Sequence, residues 1–214
     1  MKTLTLSSKL KTLLWAGVAV GLVSFAMSYV MNPARAMHGY MFNYYYVFCL
    51  ALGGTFFVGT QALTNAGWSS TVRRVPEAFV AWIPYAILFF IPIVLGGKLM
   101  YGWMDPAKVA ADHNLQMKSA YLNLPFHLLR FGGLMAAWYF LGAKLTRNSL
   151  KQDTTGDVNL TKQSVKYAAI FMPFFALLFS LVSVDLLMSL DATWYSTMFG
   201  VNCFANLFLS ALAA

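Results

Sequence analysis

Asn123, His127 and Arg130 follow one another at i, i+4 and i+7 in a stretch otherwise made mostly of Leu, Phe and Gly. On a helix this spacing puts an amide, an imidazole and a guanidinium on one stripe. Carboxylates that could answer them stand in the segment Asp185–Gly200, which reads DLLMSLDATWYSTMFG and holds Asp185 and Asp191 between two apolar runs. A histidine titrates near pH 6.5, so His127 beside an acid has the parts of a proton relay. Arg130 beside the same acid has the parts of a static ion pair that sets helix register. Both readings of Asp185 stay open on the sequence. Glu77 follows Pro76 at the head of another apolar run, where an acid complements a helix N-terminus or stands at the mouth of a pathway. Asn43 and Tyr46 share a helical face and could extend a polar path, whereas Tyr40, Tyr44 and Tyr45 fit an interfacial aromatic belt.

The elements that carry these residues must be membrane helices. Hydrophobic residues make up 59%, aromatic residues 16% and charged residues only 10%, far from the charge content of soluble domains. Acids and guanidinium groups are costly at membrane depth, so the stripe on the fourth run should face a bundle interior. The fold class expected is all-α, a polytopic membrane helical bundle. The net charge of +8 comes from Lys and Arg placed between apolar runs, which suits topology and argues against nucleic acid as a partner.

Five runs are long enough to cross a bilayer: Leu13–Met31, Tyr40–Leu63, Ala78–Leu95, Tyr121–Ala143 and Val165–Leu187. A sixth begins near Trp194 and reaches Ala214 without a polar end or basic anchor, as expected of the front part of a longer polypeptide. The expected organisation is 1–38, a basic N-tail and first span; 39–190, a four-helix bundle of spans two to five; and 191–214, the start of the sixth span. The first run could serve as a secretory signal cut near Ala34-Arg35-Ala36, but its apolar length favours a retained helix. With the N-terminus inside, Lys2, Lys9, Lys11, Arg73, Arg74, Lys144, Arg147, Lys151, Lys162 and Lys166 face the cytoplasm. Only Arg35, Lys98, Lys108 and Lys118 face outward, so an N-in orientation is expected. The polar stretch Lys144–Lys162 is then a cytoplasmic loop, and His38 and His113 lie in outer loops. Gly53 and Gly54 should let helices approach closely, and Pro84 and Pro92 should kink the third span.

His127 is the one histidine inside a span, so the chain offers no pair of histidines for a membrane haem. It has no Cys-x-x-Cys-His motif, no cysteine array and no phosphate-binding loop. Cys49 and Cys203 fall within apolar runs and form no metal set. No cofactor is expected in this chain.

The wording Met-Ser-Leu-Asp191-x-x-Trp-Tyr-Ser-Thr-x-Phe-Gly200, with the basic N-tail, His38-Gly-Tyr and Pro125-x-His127-x-x-Arg130, resembles the ActF membrane subunits of bacterial alternative complex III. These are relatives of the NrfD-type membrane anchors. The resemblance implies an NrfD-like fold of ten helices, of which this chain holds the N-terminal part, in a bacterial inner membrane. It implies a subunit without a cofactor of its own, scaffolding a quinol:electron acceptor oxidoreductase and offering a proton pathway coupled to menaquinol oxidation. Haem c, Fe–S clusters and menaquinone would then belong to partners: multihaem cytochrome c subunits, an Fe–S subunit, the homologous quinol-binding subunit ActC and a terminal oxidase, with lipids around them. The pathway residues expected are Glu77, Tyr46, Asn123, His127, Arg130, Asp185 and Asp191. Family members often carry Pro-His after the second Asp, where this chain has Ala192-Thr193. A stand-alone secondary transporter and a purely structural scaffold are the alternatives.

Overall fold

A computed structural model describes residues 6–214, so Lys2 lies outside the described residues. Among the described residues every regular element is helical. Helix α1 (Ser8–Met31) starts where the Ser7 side chain accepts from Leu10 N–H. It reverses at Asn32, whose backbone N–H closes α1 on Ser28 and whose side chain accepts from Arg35 N–H to open α2 (Pro33–Leu63). One residue thus ends a helix and caps the next, and Pro33 at the first helical position costs no hydrogen bond there. His38, expected in a loop, lies on the first turns of α2 because this reversal is so short.

The third span is bent by 43° between α3 (Arg74–Val80) and α4 (Ile83–Leu95). Pro84, which has no N–H to offer the Val80 carbonyl, accounts for the break. Helix α7 (Leu124–Thr155) continues past the expected membrane boundary, so most of the polar stretch after Lys144 is helical rather than loop. It stops at Gly156, the one glycine with a positive φ, 65°. Helix α8 (Asn159–Leu186) returns alongside it, and α9 (Phe199–Ala213) follows. Residues 97–122 form two 3-10 turns and the short helices α5 (Pro106–Ala111) and α6 (His113–Lys118), capped by Asp105 and Asp112. Tyr101 ties this segment to the end of α8 by donating to the Leu186 carbonyl at 2.8 Å.

Among the described residues three helices are long and apolar enough to cross a membrane: α1, α2 and α8 with its 3-10 extension to Leu190. The bent α3–α4 pair makes a fourth on the same grounds. Helix α7 falls short in apolar content, since it carries His127, Arg130, Lys144 and Arg147, and α9 falls short in length at 15 residues. These are the features of a membrane protein built as an all-α bundle.

Helix α2 is the axis, touching α1, α3, α4, α7, α8 and α9. A column of aromatic rings fills the space between it, α7 and α8: Phe48, Phe131, Trp138, Phe171, Phe175 and Phe179, all buried. Tyr44 and Tyr40 donate across to α4, at the Ala86 carbonyl (3.1 Å) and the Phe89 carbonyl (2.7 Å). They are interhelical ties, not members of a belt, because α2 presents that face to α4. A Cβ on Gly53 would lie 2.5 Å from Ala211 Cβ, and one on Gly54 would lie 2.7 Å from the Pro76 carbonyl oxygen. Both helix contacts therefore depend on a bare Cα. Replacing Gly54 with Val is expected to destabilise the bundle by about 1–3 kcal/mol through overpacking. The same change at Gly132, which has open space around it, should cost little; thermal unfolding of the two variants in detergent compares them.

Candidate functional site

Antiparallel packing of α7 on α8 brings the first turns of one against the last turn of the other. That places Arg130 and Asp185, 55 residues apart, in a two-pronged ion pair: Arg130 Nε to Asp185 Oδ2 at 2.8 Å and Nη2 to Oδ1 at 3.1 Å. A planar guanidinium matched to both oxygens of a carboxylate is the strongest form of this contact. The remaining Nη1 donates to the Tyr121 carbonyl at 3.1 Å. The guanidinium carbon sits 3.9 Å from the centre of the Tyr121 ring and 4.3 Å from that of Phe126. Aromatic faces on both partners help offset the loss of water around the charge.

Asp185 is 2% exposed and His127 is 0% exposed. The imidazole Nδ1 lies 4.0 Å from Asp185 Oδ2, beyond a hydrogen bond, and neither ring nitrogen has a partner. Trp103 and Phe90 cover the ring, with centroids at 5.4 Å and 5.8 Å. His127 is thus held beside the ion pair by apolar neighbours, under the segment 97–122. Asp185 is also anchored at its backbone, where its carbonyl accepts from Ser189 Oγ at 2.6 Å.

The other expected residues fall elsewhere. Asn123 is not on the stripe, because the helix begins one residue later and Asn123 is its extended N-cap. Its side-chain oxygen accepts from Phe126 N–H at 3.0 Å, and its amide nitrogen donates to the Ser119 and Ala120 carbonyls. Tyr46 is half exposed and reaches neither charge, since it lies across α2 from α7 beside Asn202 and Asn206 of α9. Asn43 bonds within its own helix, to the Gly39 carbonyl. Among the α2 tyrosines the one that bonds toward α8 is Tyr45, whose hydroxyl is 3.1 Å from Ser183 Oγ. Asp191 is exposed and shapes a turn, accepting from Thr193 N–H at 2.9 Å and Thr193 Oγ1 at 2.6 Å. These bonds to Thr193, with the Trp194 N–H and Lys118 behind them, hold its carboxyl below the usual carboxylate range.

Glu77 forms a second cluster at the opposite end. It is 4% exposed, pairs with Arg74, and lies 3.6 Å from Arg73 Nε. Arg74 also pairs with Asp153 and donates to Ser149 Oγ at 3.2 Å, so it ties α3 to α7. Ser149 is 22 residues beyond His127 on α7, about 33 Å along the helix. The α7 face between them is Phe131, Met135, Trp138, Leu141 and Leu145, all buried. The stripe that carries His127 and Arg130 becomes apolar one turn later, so this face of α7 supplies no polar path between the two charge clusters.

Arg74, Tyr121 and Trp103 escaped the sequence reading. Arg74 counted there only as a topological charge, and its position three residues before Glu77 was the available signal. Tyr121 and Trp103 carry no spacing signal, since they reach the site from a loop and from residues folded over the bundle end. No protein-family profile matches this chain, and no curated protein matches it. Among the described residues no group of three or more His, Cys, Asp or Glu side chains could hold a metal ion.

Removing one partner of the buried pair should cost about 3–5 kcal/mol, because the other charge is left uncompensated. Arg130→Leu and Asp185→Leu are each expected to unfold early in detergent melts, and the double variant to recover much of the loss. At Asp191 the folded carboxyl ionises more readily than the unfolded one. Its contribution is present above about pH 4 and is lost as pH falls through the lower folded value. Thr193→Ala should move the Asp191 titration back toward the ordinary range, as carboxyl-detected NMR would read; no movement would show that Thr193 does not set it.

Proposed function

We propose that this chain is a cofactor-free membrane subunit of an alternative complex III, scaffolding a quinol-oxidising assembly and contributing a proton-handling site at Arg130, Asp185 and His127. The observation that carries the reading is a fully buried histidine, free of hydrogen bonds, 4.0 Å from a carboxylate already claimed by an arginine. An imidazole is the side chain whose charge changes near neutral pH, and at 4.0 Å from the carboxylate one bridging group or a small shift would bring it within reach for proton exchange. The sequence wording around Asp191 and Pro125-x-His127-x-x-Arg130 supplies the family, and the NrfD-like ten-helix frame in the inner membrane follows from it. The nine described basic residues expected on the cytoplasmic side all fall at the Glu77 end of the alternating helices, which supports an N-in orientation. Haem c, Fe–S clusters and menaquinone reside in this reading with the cytochrome c, Fe–S and ActC partners.

The scaffold reading has its own support in the aromatic column between the two clusters, which offers no polar route from one side to the other. His127→Ala in the assembled complex separates the two, because it leaves the Arg130–Asp185 pair in place. On the proton-handling reading, the variant assembles with haem- and Fe–S-containing partners and the ratio of protons moved to quinol oxidised falls. An unchanged ratio leaves the scaffold. A chain that purifies alone and colourless, and drives solute uptake in proteoliposomes without partners, would point to a transporter.

A further inference from the structure

A polar cavity of about 310 Å³ opens at the Glu77 end, where the end of α2, the 3-10 turn Gly67–Thr71, α3 and the α7–α8 hairpin meet. Its wall carries two buried acceptor oxygens with no hydrogen-bond partner, Glu77 Oε1 and Gln61 Oε1. Buried polar groups are ordinarily paired, so two such oxygens on one cavity select for a ligand that donates. Arg73 Nε, at 3.6 Å from Glu77 Oε1, is too distant to be that donor. Arg73 also lines the cavity and remains 31% exposed, whereas Arg74 is taken up by Glu77, Asp153 and Ser149.

The charges around the cavity balance: Arg73 and Arg74 against Glu77 and Asp153. A bare cation or a bare anion would upset that balance, and a zwitterion would not. The depth is that of lipid headgroups. Trp68, on the turn that forms one wall, is 66% exposed with its ring edge-on to Phe57, the setting of an aromatic residue at a membrane–water boundary. We propose that this cavity is a binding site for the headgroup of an aminophospholipid, with the primary ammonium donating to Glu77 Oε1 and Gln61 Oε1 and the phosphate facing Arg73. The inference is independent of the function proposed above, and it gives Glu77 a ligand-binding role in place of a pathway role.

The test is native mass spectrometry of the purified chain in mixed micelles holding equal phosphatidylethanolamine, phosphatidylcholine and phosphatidylglycerol. Phosphatidylcholine keeps the cation and phosphate but has no N–H to donate, and phosphatidylglycerol keeps only the phosphate. Phosphatidylethanolamine is expected to be retained about fivefold over either, the margin of a charged hydrogen bond shared between two acceptors. Gln61→Leu should bring retention to parity at an unchanged melting temperature, with Glu77→Gln as a second variant that keeps the side chain's size. Parity in the wild-type chain overturns the proposal, as does a preference for phosphatidylglycerol or a preference that survives Gln61→Leu. Soluble phosphoethanolamine carries the same two groups; if it binds in lipid-free micelles while phosphatidylethanolamine shows no preference, the lipid source is wrong.

Discussion

A charge pair that cannot be hydrated dictates most of this architecture. Arg130 and Asp185 are each intolerable alone inside an apolar bundle, and together they fix which turn of α7 faces which turn of α8. A slip of one turn, about 5.4 Å, would separate the guanidinium from the carboxylate. The hairpin therefore has one register. The surroundings follow from the same need. Tyr121 gives the guanidinium a carbonyl and a ring face, Asn123 starts the helix so that Arg130 arrives at the right depth, and the 97–122 segment is tied down over the pair by Tyr101.

Away from the charges, the bundle is held by shape. Helices in lipid gain nothing from expelling water from one another, so close fit and interhelical hydrogen bonds must hold them. Gly53 and Gly54 let α9 and α3 rest on α2, and the tyrosine hydroxyls of Tyr40, Tyr44 and Tyr101 reach carbonyls of neighbouring elements. Ring packing through Phe48, Trp138 and Phe175 then separates the two polar ends with a column that holds little besides aromatic carbon.

Helices α1, α2 and α8 could be read from apolar run length, since the cost of an unpaired peptide group in hydrocarbon leaves few options, whereas the bend between α3 and α4 and the short α5 and α6 could not. The pairing of Arg130 with Asp185 was also legible, because two opposite charges at matching depth have little choice. What could not be read was decided by helix boundaries. Asn123 has the spacing of a third member of the stripe, but α7 begins at Leu124, and i+4 spacing means nothing across an N-cap. Tyr46 shared a face with Asn43 on paper, but which face of α2 meets α8 depends on all six of its neighbours. Asp191 had the right type and place, and a local Thr193 turn claimed it first. Glu77 and Arg74 were both visible without their connection to Asp153, which required knowing that α7 runs on to Thr155.

Charge balance limits what the Arg130 site can do. A proton delivered to Asp185 would cancel the carboxylate and leave Arg130 stranded, at the cost of an uncompensated buried cation, about 3–5 kcal/mol. A proton placed on His127 leaves the pair intact, with burial and Arg130 opposing it and the carboxylate at 4.0 Å favouring it. In the proposed reading the imidazole is the group that takes the proton, and the ion pair is the fixed field around it. Trp103 of the 97–122 segment and Phe90 of α4 cover the imidazole on two sides. In the proposed reading a proton route would run outside the α7 face below His127, where Phe131, Met135, Trp138, Leu141 and Leu145 are apolar but for the Trp138 ring N–H.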